Sequence, residues 1–320
     1  MTRTALLLAA TLGALAMAGP WIAPYAPQAQ HRDFMHAPPM PPRVIDEGGL
    51  RAPFARPVVL ADRLDQRYEV DEGRALPLPW GAPAGSDPVF LLGSDRLGRD
   101  VLSRVLHGAR ASLGLALVST LGALLVGALL GAWAGYRGGW PDEVLMRVSE
   151  FVLVLPLVYV VLALRAVLPL VLPGTTVFLV MAGIFTLVAW PWAARGVRGI
   201  VAAERERDYV AAARAAGASP ARVIWRHLLP ACAGYLAVQA TLLLPGFILA
   251  EATLSFIGLG FPDSLPSWGT MLAEAANVSS LARFPWTLAP AVAIFLVVLA
   301  TNIAIERHGH TPLPIDRGTR

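Results

Sequence analysis

Long apolar runs alternate with short polar segments along most of this 320-residue chain. A helix needs about 20 apolar residues to cross a bilayer, and the chain has six candidate runs. They are residues 4–22, 111–135, 148–164, 175–194, 228–250 and 284–305. The third is the shortest, and the breakers Pro169, Pro173 and Gly174 separate it from the fourth. The pattern therefore predicts an all-α integral membrane protein with six transmembrane helices.

The first run has two interpretations. A charged start precedes an apolar centre, and an Ala-Met-Ala step precedes Gly19, as in a cleavable signal peptide. The apolar stretch nevertheless continues to Ile22, and further spans follow it. We therefore interpret residues 1–24 as a retained transmembrane anchor, with cleavage near Gly19 as the alternative.

Composition further limits the kinds of protein to which this chain can belong. Hydrophobic residues make up 56% of the chain and charged residues 15%, and the mean hydropathy of +0.57 is too high for an ordinary soluble domain. All 26 basic residues are arginine. A Walker A phosphate loop needs a lysine to reach the nucleotide phosphates, so this chain by itself is not a P-loop ATPase. The single cysteine, Cys232, excludes an intrachain disulfide.

The distribution of arginines predicts the orientation of the spans. With the N-terminus inside, the segments assigned to the cytoplasm hold thirteen arginines, and the short outer loops hold only Arg165 and Arg283. The other eleven lie in residues 30–110, but long loops translocate largely regardless of their charge. The sequence therefore predicts a multi-pass protein with both termini in the cytoplasm.

The long outer segment, residues 25–110, is Pro- and Gly-rich at first and then mixed enough to hold short strands; a poorly ordered spacer is the alternative. It ends in a pattern that predicts an amphipathic helix along the outer interface before the second span. Residues 111–306 then form a five-helix core, and residues 307–320 a cytoplasmic tail. The amphipathic pattern sets Val101, Leu102, Val105 and Leu106 against Arg99, Asp100, Arg104 and Arg110.

The sequence carries no pattern typical of an active site. The spans have no ionisable residue away from their ends, so no proton or ion relay is indicated. We interpret Glu150 and Glu251, at span ends, as helix-end or snorkelling carboxylates. No nucleophile elbow, carboxylate pair or metal-ligand cluster is evident. We therefore predict a protein that is not an enzyme and that binds no cofactor, metal or nucleic acid. The energy for any pumping must then come from another chain.

A basic loop, residues 195–230, interrupts the spans on the side assigned to the cytoplasm. Asp208 is positioned to cap a short alanine-rich helix over residues 209–216, and Gly217 to end that helix in a left-handed conformation. Because alanine has little bulk, another protein can approach the backbone of such a helix closely. The alternative is an ordinary connector between two spans.

The second half of the loop predicts another helix. Ser219 and Pro220 fit an N-cap and a first turn, and the helix is expected to run through Trp225 to Leu229. The loop is therefore predicted to form a helix, a sharp turn and a second helix.

Four stretches resemble a known family. Residues 208–230, DYVAAARAAGASPARVIWRHLLP, resemble the cytoplasmic coupling loop of the inner-membrane permease subunits of binding-protein-dependent ABC importers. Three further stretches, residues 92–113, 135–147 and 248–272, resemble the oligopeptide, dipeptide and nickel branch of that family. They read LGSDRLGRDVLSRVLHGARASL, GYRGGWPDEVLMR and ILAEATLSFIGLGFPDSLPSWGTML. All four occur in family order, from Leu92 to about Asn302.

The resemblance implies the type I ABC importer permease fold in a bacterial inner membrane. The implied partners are a second homologous permease subunit, two cytoplasmic ABC ATPases that bind the ATP, and an extracytoplasmic solute-binding protein. The implied function is half of an alternating-access pathway for peptides or similar small solutes, although other members carry nickel complexes, sugars or glutathione. The residues implied to couple to the ATPase are Asp208, Tyr209, Ala212, Ala213, Arg214, Gly217, Leu229 and Pro230.

The chain departs from the family pattern at two places. Ala211 stands where a glutamate often begins the alanine motif, and the C-terminal ERHGHTPLPIDRGTR replaces a Gly-Asp-Gly-Leu-Arg type of tail. No ATPase contact is therefore assumed from either place. Alternative functions from other classes are an ion-coupled secondary carrier and a non-transporting membrane scaffold.

Overall fold

A computed structural model describes residues 2–46, 49–63, 65–81, 86–156, 159–161, 163, 172–276 and 278–309. Over these residues the chain is mainly helical, with short strands between the first two long helices. It forms two compact units. The first comprises the described parts of Met1–Gly13, Leu115–Ala250 and Leu296–Arg320, and the second those of Ala14–Gly114 and Glu251–Phe295.

The helices are named in chain order. They are α1 (Thr2–Ile22), α2 (Val101–Arg137), α3 (Gly139–Val154), α4 (Gly174–Glu204), α5 (Asp208–Ala215), α6 (Pro220–Val223), α7 (Leu229–Ala231), α8 (Ala233–Phe256), α9 (Trp268–Ala275), α10 (Val278–Arg283) and α11 (Ala289–Gly309). A π-helical segment, Ile224–Leu228, joins α6 to α7. Single 3₁₀ turns form at Arg32–Phe34, Pro79–Gly81 and Pro285–Leu288.

Among the described residues, four helices are long and apolar enough to cross a membrane: Val101–Arg137, Gly174–Glu204, Ala233–Phe256 and Pro285–Ile303. They coincide with the predicted second, fourth, fifth and sixth spans. Helix α1 forms over the predicted first span. The predicted third span overlaps α3 only as far as Val154, and residues 157, 158, 162 and 164 of its remainder lie outside the described residues. The count of six spans therefore stays a prediction.

Helices α2 and α4 are longer than the apolar runs that predict them. Helix α2 begins at Val101 rather than at residue 111 and is continuous to Arg137. The prediction of a separate interfacial helix that turns into the second span is therefore wrong. The stretch contains no proline to end the hydrogen-bond ladder. Helix α4 likewise continues to Glu204, because the arginines, alanines and glutamate of residues 195–204 are good helix formers and no proline interrupts them.

Close backbone contact joins α2 and α4 in the first unit. A Cβ added at Gly131 would lie 2.4 Å from the carbonyl oxygen of Ala194, and one at Gly127 would lie 2.6 Å from the Ala193 Cβ. Only glycine allows the two helices to approach this closely, as at small-residue contacts between membrane helices.

Helix α3 is tied to α4 by a charge pair. Arg198 on α4 donates from Nε to Asp142 Oδ1 at 2.8 Å, and a second guanidinium nitrogen also donates to this carboxylate. The Asp142 side chain is largely buried. The pair therefore fixes the start of α3, which lies in the GYRGGWPDEVLMR stretch, against the polar end of α4.

Five short strands lie in the second unit. They are β1 (Arg43–Asp46), β2 (Gly49–Ala55), β3 (Val58–Asp62), β4 (Arg67–Val70) and β5 (Leu76–Pro77). Strands β1, β2 and β5 form one antiparallel sheet, and β3 pairs with β4. Beneath them Met40, Ala55, Val58 and Phe90 belong to one buried apolar cluster. These strands occupy the middle of the predicted outer segment.

The second unit also buries a charged cluster. Arg99 and Arg104 each donate to Asp95 Oδ2 at 2.6 Å, and they donate to Glu274 on α9 at 2.7 and 2.6 Å. The sequence placed Arg99, Asp100 and Arg104 on the polar side of an interfacial helix, but all three are buried. Their burial is tolerable because opposite charges surround the two guanidinium groups.

Glu251 is fully buried, so its interpretation as a helix-end or snorkelling carboxylate is wrong. Its two carboxylate oxygens accept hydrogen bonds from the hydroxyls of Ser112 and Ser255, each at 2.7 Å. The Ser112 hydroxyl oxygen also accepts from the backbone N–H of Trp268 at 3.1 Å. Glu251 thus connects α8 to α2 and to the start of α9.

Candidate functional site

The basic loop contains the predicted helix and turn. Helix α5 is followed by Gly217, whose φ of +82° lies in the left-handed region that favours glycine. The Ala218 N–H donates to the Ala213 carbonyl at 3.0 Å, and the Gly217 N–H donates to the Arg214 carbonyl at 2.9 Å. These two bonds are those of a Schellman motif. The prediction of a left-handed stop at Gly217 is confirmed.

The predicted cap at Asp208 is wrong by one residue. Arg207 holds the N-cap position in an extended conformation, and Asp208 is the first helical residue. The N-cap side chain makes no capping hydrogen bond. The Asp208 carboxylate lies in the first turn, where the partial positive charge of the helix N-terminus favours an acid.

One side of α5 is anchored and the other is open. Val210 is fully buried in an apolar cluster that includes Val201 of α4, Val223 of α6 and Leu228 of the π segment. Most other positions of α5 and its turn are exposed. The exposed small residues are Ala211, Ala212, Ala215, Ala216 and Gly217, whereas Ala213 is half-buried. A shallow surface of methyl groups and bare backbone results, and we call it the alanine surface.

Tyr209 links α5 to the end of α4. Its hydroxyl donates to Glu204 Oε2 at 2.7 Å, and this hydrogen bond raises the pKa of Tyr209 above its usual value. The ring is partly exposed and lies at a tilt against His227, with 6.1 Å between ring centroids. Tyr209 is therefore held at the edge of the alanine surface.

Two arginines link the loop to the end of α2. The Arg214 guanidinium lies 5.1 Å from the centroid of the Tyr136 ring, within cation–π range. Arg205 Nη1 donates to the carbonyls of Gly135 at 3.1 Å and Tyr136 at 3.3 Å. These carbonyls belong to the last turn of α2, where they have no partner within the helix. Sequence reasoning missed Glu204, Arg205 and Tyr136, because no local pattern pairs residues so far apart.

The second half of the loop begins as predicted. The Ser219 hydroxyl oxygen accepts from the Arg222 N–H at 3.4 Å, and Pro220 occupies the first turn of α6. The predicted helix through Trp225 to Leu229 also forms, but its backbone takes π geometry over Ile224–Leu228 before α7 begins at Leu229. Pro230 has no N–H to bond the carbonyl four residues before it, which accounts for the irregular ladder.

Leu229 and Pro230, the last two residues implied by the resemblance, differ in their surroundings. Leu229 is half-buried against the apolar cluster that holds Val210, and Pro230 is exposed. The structure therefore brings six of the eight predicted residues to one helix and its turn, and it uses Leu229 for packing. Among the described residues, no group of three His, Cys, Asp or Glu side chains is arranged to hold a metal ion.

Comparisons with known proteins identify the family. The family described as "Binding-protein-dependent transport system inner membrane component" matches residues 127–308. The di/tripeptide transport system permease protein of Pseudomonas aeruginosa (strain UCBPP-PA14) is 36% identical over 289 residues, which cover 90% of this chain and 79% of that protein. The oligopeptide transport system permease protein of Bacillus subtilis (strain 168) is 36% identical over 222 residues, covering 69% and 70%.

A solved structure described as inward-facing conformations of the MetNI methionine ABC transporter aligns with a TM-score of 0.44 and 18% identity, covering 63% of this chain and 95% of that one. The family match covers more than half of the chain, and the Pseudomonas permease aligns with nearly all of it. The chain therefore belongs to the family of inner membrane components of binding-protein-dependent transport systems.

Proposed function

We propose that this protein is one permease subunit of an ATP-driven importer of peptides or similar small solutes, and that a cytoplasmic ATPase docks on its alanine surface. The permease itself catalyses no reaction. A second, homologous permease completes the pathway, two ATPase subunits bind the ATP, and an extracytoplasmic binding protein delivers the solute. The peptide permeases of Pseudomonas and Bacillus support the solute class.

The construction of α5 is the observation that carries the proposal. Buried Val210 fixes the helix to the body of the first unit, while Ala211, Ala212, Ala215 and Ala216 face outward. A solvated connector has no need of a firmly anchored helix with a bare surface. Small side chains let a partner approach the backbone closely. Because Val210 anchors α5, a force that the partner applies to this helix moves it as a rigid body.

The contacts around α5 supply a route for that movement. The Tyr209–Glu204 hydrogen bond leads to the end of α4, and the Arg214–Tyr136 contact leads to the end of α2. Both helices are long and apolar enough to span a membrane. We propose that ATP binding draws the ATPases together and that α5 passes this movement to α2 and α4, changing the pathway from inward to outward opening.

This proposal includes an orientation. The alanine surface lies in the cytoplasm with both termini, and residues 25–110 lie outside. The thirteen arginines in the segments assigned to the cytoplasm, against two in the short outer loops, support this arrangement.

The test is an Ala212→Asp variant in the full transporter reconstituted with its ATPases and binding protein. A charge and added volume at a close-packed interface should cost on the order of a few kcal/mol, which is tenfold or more in an equilibrium constant. Solute uptake, ATPase association and ATP hydrolysis stimulated by the binding protein should fall together. Ala52→Asp, at an exposed alanine on β2, is the matched control. Normal solute uptake and normal ATPase association in Ala212→Asp would show that α5 is an ordinary connector between two spans.

A further inference from the structure

Helix α8 carries an amide side chain inside a candidate span. Gln239 is the seventh of the 24 residues of this helix, which is long and apolar enough to cross a membrane. At 1.5 Å per residue the helix is about 36 Å long, and Gln239 lies about 9 Å from its start. A centred helix of this length extends only about 3 Å beyond each side of the hydrocarbon layer. Gln239 therefore lies within that layer, and the function proposed above assigns it no role.

The packing of the opposite side of α8 fixes the direction of Gln239. Leu244 and Ile248 are buried, and the ring of Phe247 stacks on that of Phe185 of α4 with 5.2 Å between centroids and 5° between planes. With 3.6 residues per turn, Gln239 lies on the other side of the helix from Leu244 and Ile248. The residues on its own side are partly or largely exposed, and they are Tyr235, Leu242 and Gly246.

Tyr235 holds the Gln239 amide in place. Gln239 donates from Nε2 to the Tyr235 hydroxyl oxygen at 2.9 Å, and that hydroxyl donates to the Trp192 carbonyl of α4 at 2.7 Å. The Tyr235 ring lies against Gly196 of α4, where a Cβ would overlap the ring. The amide is therefore oriented by a hydroxyl that is itself fixed to the neighbouring helix.

The Gln239 amide keeps unused hydrogen-bonding groups. Its Oε1 and its second N–H have no partner among the residues that the structure describes. Such groups are costly against lipid, and polar side chains within spans usually face a partner or a water-filled cavity. Gly246, two turns further along the same side, is exposed, and a Cβ there would meet no other atom within 4 Å. This side of α8 is therefore suited to face a polar pathway.

We propose that Gln239 lines the solute path and forms hydrogen bonds with the backbone amides of a peptide in transit, and that Tyr235 is its positioning residue. A primary amide has a donor and an acceptor, as a peptide group has, so one side chain can bond both groups of a backbone. Because the amide is uncharged, it binds that backbone whatever charges the peptide side chains carry. This inference rests on the proposed function, since it requires a peptide path beside α8.

The first experiment tests whether Gln239 meets water. Cys232 is the single cysteine of the chain and is fully buried, so Gln239→Cys adds a labelling site to a low background. The complete transporter in lipid nanodiscs is treated with a charged, membrane-impermeant thiosulfonate. Gln239→Cys should react, whereas Ile248→Cys, on the packed side of α8, should not. No reaction of Gln239→Cys, when Ala52→Cys on exposed β2 reacts, would place the residue against lipid or another helix and overturn the inference.

The second experiment tests recognition of the peptide backbone. Gln239→Met keeps the approximate shape of the side chain and removes its hydrogen-bonding groups. Proteoliposomes with the complete transporter and its binding protein take up a tripeptide or the same tripeptide with methylated backbone nitrogens. We expect Gln239→Met to lower uptake of the ordinary tripeptide about tenfold, through the loss of two hydrogen bonds. Gln30→Met, at an exposed glutamine outside the candidate spans, is the matched control and should transport as the wild type does.

The preference for the ordinary over the methylated tripeptide identifies the role of Gln239. It should be several-fold smaller in Gln239→Met than in the wild type, and Tyr235→Phe should also reduce it, because the amide then loses its positioning hydroxyl. Any preference of the binding protein itself is common to all three transporters and cancels. An equal preference in the wild type and Gln239→Met would overturn the inference, whatever the total uptake.

Co-purification of the ATPases separates this inference from the proposed function. Gln239→Met should retain its ATPases, because Gln239 is not part of the alanine surface. A wild-type transporter that binds no ATPase and imports no peptide would instead remove the proposed function itself.

Discussion

Arg104 and Glu274 form a bidentate ion pair inside the protein. Arg104 donates from Nη1 to Oε2 at 2.6 Å and from Nη2 to Oε1 at 2.9 Å, although the two residues are 170 positions apart. Only 2% of the Arg104 side chain and 11% of that of Glu274 are exposed. Asp95 and Arg99 complete a cluster of two cations and two carboxylates. The cluster fastens α9 to the beginning of α2.

Breaking this pair should destabilise the protein strongly. Arg104→Ala leaves the Glu274 carboxylate buried with one cation fewer, which is expected to cost about 3–5 kcal/mol. Unfolding of the detergent-solubilised protein by denaturant measures the effect. Arg74→Ala is the matched control, because the Arg74–Asp87 pair is about half exposed and should contribute about 1 kcal/mol or less.

The double variant Arg104→Met with Glu274→Met separates unpaired charge from lost packing. It leaves Arg99 and Asp95 paired at 2.6 Å and removes one charge of each sign. Stability should therefore recover much of the loss seen in Arg104→Ala. A double variant as unstable as the single one would show that packing around Arg104, and not the stranded carboxylate, dominates.

Asp100 predicts a pH dependence of stability. Its carboxylate accepts from the Ser103 N–H at 2.8 Å and from the Ser103 hydroxyl at 2.6 Å, but burial raises the pKa of Asp100 from 3.8 to about 6. The folded state then binds the proton more tightly than the unfolded state does. Its contribution to stability is therefore lost as the pH rises from about 4 through about 6.

Asp100→Asn should reduce this loss. Asparagine is an equally good N-cap and carries no buried charge, so the fall in the free energy of unfolding between pH 4.5 and 7.5, measured with denaturant, should shrink by about 2 kcal/mol. Asp33→Asn, at an exposed acid, should leave the pH profile unchanged. A profile that is the same in Asp100→Asn and the wild type would remove Asp100 as its cause.

Apolar runs predicted where most helices form but not where they end. The run that starts at residue 111 belongs to a helix that starts at Val101, and the run that stops at residue 194 belongs to one that continues to Glu204. Hydropathy reports the preference of a segment for lipid, whereas a helix continues until backbone geometry or proline stops it. Arg104 appeared solvated because its partner Glu274 lies on a distant helix that no local pattern identifies.

In the candidate site, too, the features that depend on local sequence were predictable and the contacts between distant residues were not. Gly217 and Ser219 were predictable, because caps and left-handed stops depend on residues within one turn. The contacts Tyr209–Glu204 and Arg214–Tyr136 were not, since they depend on how α5 packs. Glu251 shows the limit most clearly. Its position near a span end favoured a solvated carboxylate, and only the fold reveals Ser112 and Ser255 beside it.

Reporter fusions test the orientation that the proposed function requires. Fusions after Asp71, Ala203 and Pro312 should report outside, inside and inside. The reason is that the segments assigned to the cytoplasm hold thirteen arginines, whereas the short outer loops hold two. Alkaline phosphatase and a fluorescent protein that matures only in the cytoplasm give opposite signals and serve as each other's control. An outside signal after Ala203 would contradict ATPase docking on the alanine surface.

Gly131→Ala should separate α2 from α4. The new Cβ would lie 2.4 Å from the Ala194 carbonyl oxygen, so the helices must shift, at a cost of about 1–3 kcal/mol. Gly183→Ala on α4 is the control, because a Cβ there meets open space and alanine favours a helix. Thermal unfolding in detergent should rank Gly131→Ala below the wild type and Gly183→Ala at or above it. Equal midpoints for the two variants would show that the close approach of α2 and α4 is not needed for stability.

Gly217 tests whether the turn after α5 must keep its shape for transport. Its φ is +82°, and a Cβ there would meet no other atom within 4 Å, so any cost of substitution comes from the backbone alone. Gly217→Val places a β-branched residue in the left-handed region, at a cost of about 1–3 kcal/mol, and should displace the turn and lower solute uptake and stimulated ATP hydrolysis together. Gly217→Asn is the matched control, because asparagine tolerates this conformation and has a similar volume. If both variants lose transport equally, a side chain at this position obstructs the docked ATPase; if neither does, the left-handed turn has no part in coupling.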